Sequence, residues 1–346
     1  MKVAIFGLGY VGFTAACCIS SSGHSVVGVD VSDSKIAEIN SGIPPFEEPG
    51  LADLMKKGSE DGGLSATKDA SAALAHADLA VVCVGTPSGP DGAHDMRYIV
   101  EVSRQIALAA ADMPQARLTV AYRSTMRPGS IRKLIMPIFE AALGKDFTTK
   151  IELVYNPEFL REAMAIHDYF NPSKIVIGTA DGQGSDVMDA LNAGIEAPVF
   201  ITGFEEAEIT KFVDNSWHAV KVAFANEIGR VCQNMDISAS KVHEIFVSDT
   251  KLNISGYYTR PGGAFGGSCL PKDVRAVQYI ATDVGANTHL IDSLLRTNES
   301  HKNHQYDRIV AATPAGGSIL VAGLAFKAGT DDLRESPNVD LTRKLL

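Results

Sequence analysis

The chain has 346 residues, more than one ordinary domain of roughly 100 to 200, so two or more domains are expected. Hydrophobic residues make up 45%, enough for a full core, and the formal net charge of −10 argues against a nucleic-acid binder, which would present a basic face. No apolar run reaches membrane-spanning length and the first residues read as a core strand, not a signal peptide, so a cytoplasmic location is expected. Five cysteines, Cys17, Cys18, Cys83, Cys232 and Cys269, are an odd number without metal-ligand spacing, which speaks against both a disulfide framework and a zinc site.

Residues 1 to 30 read as strand, glycine turn, helix and second strand. The apolar run Met1 to Phe6 enters Gly7-Leu8-Gly9-Tyr10-Val11-Gly12, and Ser25 to Val29 leads to Asp30. In a dinucleotide fingerprint Gly7 permits the tight turn, Gly9 lets the backbone approach a pyrophosphate, and Gly12 allows close packing of helix on strand. The helix N-terminus turns its N–H groups toward the phosphates. Asp30 would accept a ribose hydroxyl and repel a 2′-phosphate, so the expected cofactor is NAD rather than NADP. Lys35 could offer a charge to a phosphate, although a lysine on the following helix is ordinarily solvated.

Apolar segments then alternate with helical stretches, the pattern of an α/β fold with a largely parallel sheet. Leu79 to Val84 ends at Gly85-Thr86-Pro87, Leu118 to Tyr122 at Arg123-Ser124-Thr125, and Ile151 to Tyr155 at Asn156-Pro157-Glu158, so Thr86, Thr125 and Glu158 could face one cleft. Strands are also expected at 174–178 and 198–202, and Pro87 to Gly92 reads as a surface loop.

Residues 204 to 235 lack proline and carry a helical period. Lys211, Asn215, His218, Val222 and Asn226 recur at steps of four, three, four and four and share one face, while Phe212, Val213, Trp217 and Val220 populate others. A lysine can stabilise an alkoxide and an amide can donate to an oxyanion, so this face is a candidate functional one. The other chemical stretch is Gly266-Gly267-Ser268-Cys269-Leu270-Pro271-Lys272-Asp273. It places a cysteine after glycines and near a cation, where a thiol with an ordinary pKa of about 8.5 gains thiolate character.

Through these motifs the chain resembles the nucleotide-sugar 6-dehydrogenases nearly end to end. The resemblance is carried by the glycine turn, by Gly85-Thr86-Pro87, by Asn156-Pro157-Glu158-Phe159-Leu160-Arg161-Glu162 and by the Cys269 octapeptide. The stretches 215–227 and 257–262 look like the GDP-mannose branch more than the UDP-glucose branch. What the resemblance implies is a Rossmann-type NAD-binding domain over 1–203, a central long-helix domain over 204–302 that forms a homodimer or higher oligomer, and the truncated start of a C-terminal nucleotide-sugar domain over 303–346, the chain being a fragment or the rest being lost or supplied by another chain.

It further implies oxidation of a sugar C6 alcohol to the carboxylate with two NAD molecules in turn and Cys269 as covalent nucleophile. The matching catalytic set is Cys269, Lys211, Asn215, Asp273, Thr125, Glu158 and Glu162. By similarity the cofactor contacts add Tyr10, Val11, Asp30, Lys35, Thr86, Thr125, Lys272 and Arg334 to the glycines. The substrate contacts are Glu162, Lys211, Asn215, His218, Asn226, Tyr257, Tyr258, Arg260, Gly266 and Lys327. Gly263 departs from the GDP-mannose branch, which has an aromatic residue there, so a UDP-sugar substrate stays open. Two rival readings are a one-step NAD-dependent hydroxyacid dehydrogenase, which needs no nucleophilic cysteine, and a non-catalytic NAD-binding remnant.

Overall fold

The computed structural model describes residues 1–60, 63–113, 117–234, 236–250, 262–283 and 289–346. The chain divides into two compact units, one of residues 1–87 with 94–211, the other of residues 88–93 with 212–346.

The first unit runs β1 Lys2–Phe6, α1 Tyr10–Ser21, β2 Ser25–Val29, α2 Asp33–Asn40, α3 Leu51–Glu60, β3 Leu64–Thr67, α4 Ala70–Leu74 and β4 Leu79–Val82. It continues through α5 Arg97–Ala111, β5 Leu118–Tyr122, a wide helical turn at Ile131–Ile135, α6 Met136–Leu143, β6 Ile151–Tyr155, α7 Ala165–Phe170, β7 Ile175–Thr179, α8 Asp186–Leu191 and β8 Val199–Gly203. Every strand expected up to residue 203 forms. The unexpected one, β3, is Leu-Ser-Ala-Thr, too short and too polar to show a pattern before it is paired with β2.

The strands make one sheet in the order β3-β2-β1-β4-β5-β6-β7-β8, parallel throughout except for the antiparallel β6–β7 pair. Because side chains alternate across a strand, Ala4 and Phe6 of β1 pack into one apolar layer while Val3 and Ile5 pack into the other. Both faces are therefore covered, and β4, β5 and β7 are buried along their whole length, as parallel strands require. The chain leaves β1 toward β2 on one side and takes up β4 on the other. That reversal opens the crevice at the C-terminal ends of β1 and β4 where doubly wound sheets bind ligands.

The 31-residue helix α9, Phe204–Asn234, carries the chain from the first unit into the second. The second unit continues with α10 Ala239–Val247, α11 Leu270–Asp283, α12 His289–Ala312 and α13 Pro337–Leu345. Its small core joins Ala219 and Ala223 of α9 to Phe265, Val274 and Leu294. On α9 the solvent side holds Val213 and Trp217, which are more than half exposed, and the buried side holds Asn215 and Asn226, inverting the usual amphipathic pattern. Within 303–346, matched by resemblance to the start of a C-terminal domain, residues 318–326 form no strand. The segment has no strand neighbour among the described residues, and a lone extended run has nothing to complete its ladder, so Leu320 lies 92% exposed.

Candidate active site

At the switch point the backbone follows the fingerprint. Gly7 takes a left-handed φ of +89° and donates its N–H to the Val29 carbonyl at 2.8 Å, which no other residue would do without strain. A Cβ on Gly12 would run into the Gly7 carbonyl, whereas one on Gly9 would meet nothing within 4 Å. Gly12 thus seals α1 onto β1, and Gly9 leaves the space a pyrophosphate needs beside the first-turn N–H groups of Tyr10 and Val11. These observations fit a dinucleotide.

Asp30 Oδ2 accepts the Leu8 N–H at 2.8 Å and the Lys35 ammonium at 2.9 Å, and Oδ1 accepts the Ser32 N–H at 3.0 Å. Burial opposes its ionisation, but Lys35 and the two amides win and hold the carboxyl below its ordinary value. The lysine that the sequence offered to a phosphate is therefore engaged by Asp30, and the Asp30 carboxyl stays charged. Further along the crevice, Thr86 is buried and its hydroxyl donates to the Thr125 carbonyl at 2.9 Å, tying the ends of β4 and β5 together.

The loop after β6 supplies the carboxylates. Glu158 Oε2 accepts the Leu160 N–H at 2.7 Å, and Oε1 lies 2.9 Å from the Lys211 ammonium, with both side chains buried. Burial works against the Glu158 charge, yet the Lys211 cation holds its carboxyl below the usual range. Glu162 stands half-buried just before Ala163, a non-glycine residue at φ +66°. The sequence brought Glu158 and Lys211 into one catalytic set without foreseeing that they form a pair.

In the second unit, Cys269 is exposed and caps α11, its carbonyl accepting the Asp273 N–H at 2.9 Å. The sulfur therefore stands at the positive end of a 14-residue helix, which favours negative charge there. Lys272, expected to support the thiolate, instead holds its ammonium 3.3 Å from Asp273 Oδ1. Asp273 is fully buried and its other oxygen accepts the Asn215 amide, which joins two residues that similarity had placed in the same set. Gly267 sits at φ +82° against the Phe326 ring, close enough that a Cβ would have to displace it.

The loop before Cys269 is held by Asn226 of the α9 face and by two residues of α12 that carry no sequence signal. Asn226 accepts the Gly262 N–H at 2.9 Å and donates to the Gly263 carbonyl at 3.2 Å, so the residue assigned to substrate is occupied as a loop anchor. Asn298 on α12 brackets Phe265 in the same way, at 2.8 Å to both its N–H and its carbonyl, and His301 Nε2 meets the Gly262 carbonyl at 2.7 Å. Asn298 and His301 escaped the sequence reading because a helix rich in polar residues hides two that face inward. Gly266 packs against the Glu335 carbonyl and Pro337, Lys327 and His218 are half-buried, and Arg334 is paired with Asp332 at 2.9 Å. Tyr257, Tyr258 and Arg260 lie outside the described residues. Among the described residues no three His, Cys, Asp or Glu side chains form a metal site, and no helix is long and apolar enough to cross a membrane.

A doubly wound sheet with a glycine turn at its switch point and an ionised acid closing its second strand defines an NAD-dependent oxidoreductase. Residues 1–195 match the NAD binding domain of the UDP-glucose/GDP-mannose dehydrogenase family and residues 205–300 match its central domain; the chain belongs to that family. It is 44% identical over 346 residues to GDP-mannose 6-dehydrogenase of Pseudomonas putida, covering 100% of this chain and 78% of that protein. It is 34% identical over 342 residues to the UDP-glucose 6-dehydrogenase TuaD of Bacillus subtilis, covering 98% and 72%. Among solved structures, the UDP-glucose dehydrogenase of Pyrobaculum islandicum superposes with a TM-score of 0.91 at 33% identity over 99% of this chain and 78% of the other. The GDP-mannose dehydrogenase of Pseudomonas aeruginosa, in a ternary complex, gives 0.71 at 43% identity over 100% and 78%.

Proposed function

We propose that this nucleotide-sugar 6-dehydrogenase converts GDP-mannose to GDP-mannuronate through a thioester on Cys269. The net reaction takes the C6 alcohol, water and two NAD to the carboxylate, two NADH and three protons. The glycine turn would hold NAD, which would supply the hydride acceptor for each oxidation of C6. In the first oxidation the C6 hydroxyl proton passes to solvent water while Lys211, held by Glu158, stabilises the negative charge that develops on the oxygen. The Cys269 sulfur then adds to the aldehyde carbon, the oxygen gains a proton, and a thiohemiacetal results. Loss of the second hydride and of the hydroxyl proton leaves a thioester. Water adds to its carbonyl with a proton passing to a carboxylate, Asp273 in the first turn of α11 being the candidate, and the C–S bond breaks to return the thiolate.

The observation that carries the double oxidation is the exposed Cys269 at the N-terminus of α11 with buried Asp273 one turn on. A one-step hydroxyacid dehydrogenase has no use for such a nucleophile. The preference for GDP-mannose rests on the greater identity to the GDP-mannose enzymes, 44% against 34%. UDP-glucose is the second reading, favoured by Gly263, which lacks the aromatic side chain of the GDP-mannose branch. A panel of GDP-mannose, UDP-glucose and N-acetylated UDP-sugars, assayed for NADH formed per sugar consumed, tests both. Two NADH per GDP-mannose is the expected result; one per sugar would refute the thioester route, and a UDP-sugar as best substrate would refute the sugar assignment.

A further inference from the structure

Between the cofactor turn and the acidic loop stands a carboxylate with no part in the chemistry above. Glu48, in the segment between α2 and α3, is buried. Its Oε2 accepts the phenolic O–H of Tyr10 and the Ala163 N–H at 2.9 Å, and its Oε1 accepts the Ala165 N–H at 2.8 Å. The Ala163 N–H also reaches the Tyr10 oxygen at 3.1 Å, closing a three-membered network. Tyr10 is the first residue of α1, in the turn that receives the pyrophosphate, and Ala163 directly follows Glu162 at φ +66°. A non-glycine residue stays in that region only where its surroundings hold it, and here the holding group is Glu48. Phe46 supports the arrangement by packing its ring 5.1 Å from that of Tyr10.

We infer that Glu48 is a positioning residue that couples the cofactor-phosphate turn to the loop carrying Glu158 and Glu162. A dinucleotide that orders Tyr10 orders its hydroxyl, the hydroxyl fixes the Glu48 carboxylate, and the carboxylate fixes the Ala163 and Ala165 amides on which the aim of Glu162 depends. Coupling of this kind matters to an enzyme that must exchange its cofactor and keep its acidic loop in register through both oxidations. Burial and the neighbouring Glu48 push the Tyr10 phenol above its ordinary pKa, so the O–H remains a donor throughout the working pH range.

The test is amide hydrogen exchange over residues 159–168, with and without saturating NAD, in the unaltered chain, Glu48→Gln and Tyr10→Phe. Saturation is checked by titration for each protein, so differences in affinity do not enter. In the unaltered chain NAD should slow exchange at Ala163 and Ala165 by at least about fivefold, the low end of ordinary coupling. Tyr10→Phe keeps both amide bonds to Glu48 and should still abolish that NAD-dependent increment, which a merely structural Glu48 would leave intact. No increment in the unaltered chain, or the same increment in Tyr10→Phe, would overturn the inference. A kinetic arm rests on the proposed activity: at saturating NAD both variants should lose kcat by a similar factor, and the double variant should lose no more than either. If no nucleotide sugar is oxidised the proposed function fails, while the exchange arm still decides the coupling.

Discussion

The Lys211 ammonium lies 2.9 Å from the Glu158 carboxylate, both side chains being less than 10% exposed, so each charge is kept by the other. Removing one member strands the other in the interior, at a cost of about 3–5 kcal/mol. Glu158→Gln and Lys211→Ala should therefore each lower stability by that order, whereas Glu158→Leu with Lys211→Met should recover much of it. All three should lose sugar oxidation. Urea denaturation beside NADH-forming assays separates these effects, and single variants of unchanged stability would contradict the buried pair.

Two buried glutamates should respond to pH in opposite senses. Glu158 has a depressed pKa, so its contribution is present above the ordinary carboxylate range near 4.5 and is lost as pH falls through the lower folded value. Glu208 on α9 accepts the Gly129 and Ile131 N–H groups at 2.5 and 2.8 Å, but burial outweighs those bonds and pushes its carboxyl from 4.5 up to about 7. Its contribution is full below 4.5 and is lost as pH rises through 7. That rise corresponds to roughly 3 kcal/mol at most. Glu208→Gln should flatten the fall in stability between pH 5 and pH 8, read by urea melts at both; an unchanged slope would show that Glu208 ionises without penalty.

Asp30→Ala should do more than remove repulsion of a 2′-phosphate. The substitution also releases Lys35, now 2.9 Å from that carboxylate, as a free cation beside the ribose site. NAD affinity should fall by about tenfold, the value of a charge-assisted hydrogen bond, and NADP affinity should rise. Titration with both cofactors checks this, and the double variant Asp30→Ala with Lys35→Ala should lose the NADP gain.

Cys269→Ser exchanges a thiol poised at a helix end for a hydroxyl that is almost never ionised at neutral pH. Uronate formation should fall by at least about 10³-fold while NAD binding persists, because the cofactor turn lies elsewhere in the sequence. Mass spectrometry of the protein incubated with NAD and nucleotide sugar should find an ester on the serine if the acyl step runs slowly. Uronate production at the unaltered rate would remove Cys269 from the mechanism.

Much of the site was legible because its parts are local. The strand, glycine turn, helix and acid of residues 1–30 each impose a requirement on neighbouring residues, so Gly7, Gly12 and Asp30 fall where their spacing put them. The Cys269 octapeptide was legible as a chemical neighbourhood. Its place at a helix end was not, since Cys269 becomes a helix cap only when the residues from Leu270 onward coil.

What the sequence by itself determined is the class of fold, the cofactor and the family, because periodicity, glycine placement and motif identity act over a few residues and need no partner. Tertiary structure alone decided the pairing. It set Lys211 on Glu158, Asn215 on Asp273 and Lys35 on Asp30, put Asn226 and Asn298 to holding the loop before Cys269, and placed Glu48 across 115 residues from Ala163. A buried polar group takes whichever complementary group the packed chain brings within about 3 Å, and which one arrives depends on strand order and helix docking rather than on distance along the chain.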